Sequence, residues 1–93
     1  MFISLIASTR NASVSVRTLH TILNMNILSI KTEHRFEINF VKDNQVEKNK
    51  ILLKKLKSSD RVLILDYGIS LDIESIKKVF SKFEQGFHLQ VFP

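Results

Sequence analysis

Asp66 closes an apolar run, Val62-Leu63-Ile64-Leu65, and is followed two residues later by Gly68, which turns the chain at low steric cost. A carboxylate at such a point can hold a metal ion or accept a hydrogen bond from a ligand hydroxyl; it can equally begin a turn. Two further charged groups follow strand-like stretches in the same way, Arg10 after Phe2 to Ala7 and Asp43 after the alternating Phe36 to Val41. Other chemistry is thin. His20, His34 and His88 have no metal-ligand spacing, and Ser8 and Thr9 have no evident base to make them nucleophiles. Only Gly68 and Gly86 are glycines, so there is no glycine-rich phosphate loop. With no cysteine, disulfides, thiolate metal sites and cysteine nucleophiles are excluded.

The elements that must carry these groups alternate. Four apolar residues in a row suit a strand covered on both faces, as in a parallel sheet. Phe2 to Ala7 reads as the first strand, with Ser8-Thr9-Arg10-Asn11 as a polar loop. A helix follows, capped by Ser13 or Asn11 and ending near Asn24 to Asn26, with Val16, Leu19, Ile22 and Leu23 as its core face. Ile27 to Ile30 is ambiguous and is read as a loop that packs down. His34 to Val41 alternates as the second strand. Asn44 with Glu47 resembles a capping box, and Val46, Leu52, Leu53 and Leu56 form the apolar face of the helix it opens. Asn49 shares that face and needs a partner if buried. Arg61 to Leu65 is the central strand. Ile73, Ile76, Phe80 and Phe83 line a third helix, Gly86 stops it, and Phe87 to Phe92 is the last strand. The order β-α-β-α-β-α-β predicts an α/β fold in three layers, with a mainly parallel sheet of about four strands and right-handed crossovers. Its carboxyl edge would then gather Arg10, Asp43 and Asp66 as the default ligand site.

Ninety-three residues allow one domain, and 44% hydrophobic content fits a folded chain. The apolar start is too short for a membrane span and lacks a basic flank, so a cytoplasmic protein is expected, or a virion-associated one if the source is viral. The net charge of +5 favours anionic partners in general. Yet Lys54, Lys55, Lys57, Lys77, Lys78 and Lys82 fall late in the helices, where cations complement the helix dipole. No aromatic residues interleave with them as a base-stacking platform needs, so nucleic acid ranks last among the partners.

The segment Val46 to Leu56 with Arg61 to Ser70 resembles the nucleotide-sugar-binding half of GT-A-fold glycosyltransferases, closest in pattern to phage and large-DNA-virus members. That family shows an Arg-Asn pair on a helix, then an apolar strand ending in Asp-x-Asp, then a helix. Lys48-Asn49 takes the place of the pair, and Asp66-Tyr67-Gly68-Ile69-Ser70-Leu71-Asp72 that of the acidic stretch. Ser8-Thr9-Arg10-Asn11 with Thr18 to Leu23, and Val91-Phe92-Pro93, match the family's start and end. The likeness spans nearly the whole chain, residues 1–93, as one Rossmann-like GT-A half.

The resemblance implies a nucleotide-diphosphate sugar as ligand. Thr9 and Arg10 would lie beside base and ribose, and Asp43 would accept a hydrogen bond from the base. Asn49 would brace the pocket. Asp66 would meet the ribose or a Mg²⁺ or Mn²⁺ ion bridging the diphosphate. Two departures qualify this. Gly68 stands where the second aspartate belongs, and the chain stops where such enzymes continue into their acceptor half. The expectation is a truncated or degenerate relative, inactive as this chain alone. The alternative is a non-enzymatic protein that kept the fold, with a homodimer or protein partner covering exposed sheet.

Overall fold

A computed structural model describes all residues, 1–93. Four strands and three helices alternate: β1 (Phe2–Thr9), α1 (Val16–Thr32), β2 (Arg35–Lys42), α2 (Gln45–Ser58), β3 (Arg61–Leu65), α3 (Ile73–Glu84) and β4 (Leu89–Phe92). The strands form one sheet in the order β2-β1-β3-β4, and every pairing is parallel. The α/β fold with a four-stranded parallel sheet, consistent with a Rossmann-like three-layer arrangement, is therefore as the sequence predicts. No helix is long and apolar enough to cross a membrane.

Side chains of the two central strands alternate between two cores, as the pleat requires. Ile3, Leu5, Ala7, Leu63 and Leu65 point to one face, where Ile22, Met25 and Leu28 of α1 and Ile76, Val79, Phe80 and Phe83 of α3 pack on them. Ile6, Val62 and Ile64 point to the other face, against Ile51 and Leu52 of α2. That second face is half polar. Buried Ser4 donates to Glu37 Oε1 at 2.8 Å and pairs with the Ser59 hydroxyl, and Lys55 Nζ reaches the same Glu37 oxygen at 2.7 Å. These bonds hold the Glu37 carboxyl below its ordinary range, Lys55 contributing most and Ser4 next.

The helix faces differ from the sequence reading. Helix α1 is capped by Ser15, whose hydroxyl accepts from the Arg17 amide, because Ser13 is drawn into a bridge with Arg10. It continues through Ile27 to Ile30 and ends only at Glu33, which takes the left-handed conformation of a helix stop. Burial of Met25 and Leu28 is what carries it past Asn26. Its inward face is Thr18, Thr21, Ile22, Met25 and Leu28, so of the predicted core face only Ile22 is buried; Val16, Leu19 and Leu23 are exposed. Helix α2 likewise turns Lys48, Ile51, Leu52 and Lys55 inward and leaves Val46, Leu53 and Leu56 in solvent. The reason is the polar floor: the carboxylates of Glu37, Asp43 and Asp66 draw the two lysines in. Helix α3 keeps its predicted face.

The crossovers are not of one hand. The β1-α1-β2 unit moves one strand one way across the sheet, and β3-α3-β4 moves one strand the other way, yet α1 and α3 cover the same face. Two such units must have opposite hands. The β2-α2-β3 unit, on the other face, shares the hand of the first. The three units therefore cannot all obey the expected right-handed rule. The four buried apolar residues of α3 complete the larger core beside α1. In exchange, the α2 face has a single helix, and Leu89 and Val91 of β4 stay exposed there.

Candidate functional site

Parallel strands bring all three βα loops to one edge. The strand order reverses direction between β1 and β3, which is the switch point where open α/β sheets form a ligand crevice. Asp66 is the first residue beyond β3. Its amide donates to Phe92 O at 3.0 Å, and its carbonyl accepts from Ile69 N at 3.2 Å across a turn in which Gly68 adopts φ 80°. Asp43 follows β2, its amide bonded to Thr9 O at 3.0 Å. Arg10 follows β1 and is fixed by paired backbone bonds with Ser13.

These side chains close into a ring. Arg10 Nε meets Asp43 Oδ2 at 2.8 Å, Lys48 Nζ meets Asp43 Oδ1 at 2.7 Å, and the same Nζ meets Asp66 Oδ1 at 3.0 Å. Tyr67, next in chain to Asp66, returns the circuit: its ring lies 4.8 Å from the Arg10 guanidinium. Two cations balance two carboxylates. Lys48 donates most strongly to Asp43, with Arg10 next, and together they hold the Asp43 carboxyl below its ordinary range. The bond to Asp43, followed by that to Asp66, raises the Lys48 ammonium above its own, against an opposing cost of burial.

Two clefts flank the ring. One of about 560 Å³ is walled by Thr9, Arg10, Asp43, Lys42 and the Asn11–Ala12 turn. The other, about 260 Å³, lies between α2 and the β3–β4 surface and is walled by Lys48, Asn49, Asp66, Ile64, Leu89 and Val91. The five sequence-predicted residues are therefore divided between two neighbouring clefts: Thr9, Arg10 and Asp43 in one, Asn49 and Asp66 in the other. Thr9 Oγ1 donates to Val41 O at 3.3 Å. Asn49 is exposed, not buried, and its side-chain oxygen accepts from Gln45 Nε2 at 2.8 Å within the helix. Ser8, on the α2 side of β1 one step beyond the Ala7–Leu65 pair, buries its hydroxyl without a partner. The Thr18 hydroxyl on α1 is buried without a partner in the same way.

Lys48 is the residue that sequence reasoning left out of the site. Its signal was its spacing from Lys55: seven residues, two turns, on one stripe with Ile51 and Leu52. Thr21 and Asn24 were missed as well. Thr21 Oγ1 accepts from Leu71 N at 2.8 Å and Asn24 Nδ2 donates to Leu71 O at 3.1 Å, so both polar groups of that peptide position are held from α1. Arg17 Nη1 reaches Gly68 O at 3.5 Å, and His20 Nδ1 lies 3.1 Å from Ser70 Oγ. The whole Gly68 to Leu71 segment is thereby tied to α1.

The donor set does not make a divalent-cation cradle. No three histidines or carboxylates converge anywhere in the chain, and one of the two Asp66 carboxylate oxygens, Oδ1, faces an ammonium. No family model, no curated protein and no solved structure matches this chain.

Proposed function

We propose that the carboxyl edge of the sheet binds a nucleotide-diphosphate sugar, in the manner of the nucleotide half of a GT-A-fold glycosyltransferase, and that this chain is a binding domain rather than a complete transferase. The observation that carries the reading is the Arg10–Asp43–Lys48–Asp66 ring at the switch point. Such a ring can exchange internal partners for ligand ones. Asp43 and Asp66 accept hydrogen bonds from base N–H or ribose hydroxyl groups. Arg10 and Lys48, relieved of carboxylates, donate to phosphate oxygens. Tyr67 offers a face for a planar ring. No catalytic base is assigned.

The test is a thermal-shift screen of uridine, guanosine and cytidine diphosphates and their sugars, with and without Mn²⁺. A ligand that binds only the folded state raises Tm. The reading expects a rise with at least one nucleotide sugar that disappears in Asp66→Ala and in Arg10→Ala. No rise with any of them defeats it. Dependence on Mn²⁺ would mean that the ion displaces Lys48.

A second reading is favoured by a separate observation, the exposed Leu89 and Val91, which wall a cleft together with Leu52 of α2. On this reading the fold is an interaction module whose protein partner covers the β3–β4 half of the α2 face. It expects Val91→Lys to abolish partner binding and to leave any nucleotide response intact.

A further inference from the structure

Helix α1 is apolar on two opposite sides. One side is buried in the domain. The other carries Val16, Leu19, Leu23, Ile27 and Ile30, all in solvent, from 47% exposed at Leu19 to 85% at Ile30. A second apolar stripe left in solvent marks a surface that another body can cover. Five exposed aliphatic residues at intervals of three and four make a coiled-coil-like seam roughly 21 Å long.

We propose that this seam joins two copies of the chain, with their α1 helices antiparallel about a two-fold axis at Leu23. The spacing argues for a second copy over any other occupant. Val16 and Ile30 lie seven residues either side of Leu23, and Leu19 and Ile27 lie four either side. Reversing the helix about Leu23 therefore lays the pattern on itself: Leu23 meets Leu23, Leu19 meets Ile27, and Val16 meets Ile30. A two-fold interface requires such a self-complementary patch.

Charge selects the same arrangement. No charged residue lies between Arg17 and Lys31. In the antiparallel pair Arg17 falls opposite Ser29, and Lys31 opposite Ser15. A parallel pair would set each cation against its own copy and align the helix dipoles head to head. The outward stripe of α2 has the opposite character, since Lys50, Lys54 and Lys57 crowd Val46, Leu53 and Leu56, so two copies of it repel. The α1 seam also lies on the far side of the sheet from α2, and the dimer leaves the β3–β4 surface free.

Sedimentation equilibrium on the full chain, across a wide concentration range, tests the proposal. The expected result is a reversible monomer–dimer equilibrium. Leu23→Lys sets two ammonium groups together on the axis and weakens the dimer at least about tenfold. Leu23 is exposed in the single chain, so circular dichroism and Tm of the variant monomer stay unchanged. Leu19→Lys and Ile27→Glu each weaken the dimer alone, and the double variant restores it, because each lysine then meets a glutamate of the other copy. A monomer at every concentration overturns the proposal. So does a dimer indifferent to Leu23→Lys, or a double variant no better than its parents. Sedimentation of monomeric protein with anionic phospholipid vesicles, lost in Leu23→Lys, would overturn it in favour of a lipid surface.

Discussion

Lys48 performs two tasks with one ammonium group. It neutralises Asp43 and Asp66, and in doing so it fixes α2 over the carboxyl edge. Lys48→Met keeps the length of the side chain and removes the charge. The Asp43 carboxyl then retains only Arg10, and its pKa moves up toward the ordinary carboxylate value, as a carbon-detected NMR titration of the aspartates would record. If Asp43 does not move, Lys48 is not its principal partner. Thr21 makes a comparable test among neutral groups. Thr21→Val preserves shape and leaves the buried Leu71 amide without an acceptor, which costs about 1–3 kcal/mol. Chemical denaturation should show a lowered midpoint with an unchanged slope. Lys48 stood out in the chain only beside Asn49, and Thr21 did not stand out at all. A threonine's worth depends on which backbone group the fold places opposite it, and the spacing of residues 21 and 71 conceals that pairing.

At the scale of elements, the number, order and type were legible, since each apolar run is bounded by caps and turns. Asn44 caps α2 as its position before Glu47 predicts, accepting from the Val46 and Glu47 amides at 2.9 and 3.3 Å. Asn44→Ala should cost about 1 kcal/mol, visible as a lower Tm. The faces of α1 and α2 were not legible. Hydrophobic periodicity shows that a helix has an apolar stripe, not which neighbour receives it. In α2 the sheet beneath offers Glu37, Asp43 and Asp66, so a lysine-bearing stripe wins over a leucine-bearing one. In α1 both stripes carry apolar residues, and the interior takes the one flanked by Thr21 and Asn24, whose side chains bond both polar groups of Leu71. Only α3, with one apolar stripe and a charged remainder, left no choice. The hand of the third crossover was equally hidden. It depends on which face still needs covering once α1 is in place.

For the molecule as a whole, acid is the informative perturbant. Glu37 and Asp43 both titrate below their ordinary range in the fold, Glu37 chiefly through Lys55 and Asp43 chiefly through Lys48. Asp72, which caps α3 by accepting from the Ser75 amide, does so as well. A depressed carboxyl contributes stability that is fully present above its unfolded pKa and is lost as pH falls through the folded value. Stability should hold level from neutrality to about pH 5 and decline below about pH 4. Lys48 has the opposite sign: its raised pKa contributes below the unfolded value and is lost only above about pH 10. Urea midpoints at stepped pH test both limits, and a decline beginning near neutrality would contradict the assignment. The grip of α1 on Leu71 has a kinetic counterpart. Leu71 lies in no helix or strand, yet its amide is buried and bonded, so in deuterium exchange it should be slow among fast loop neighbours. Its proton can leave only when α1 and the Gly68–Leu71 segment part. One peptide signal thus times the opening of the edge that carries Asp66, before any ligand for it is in hand.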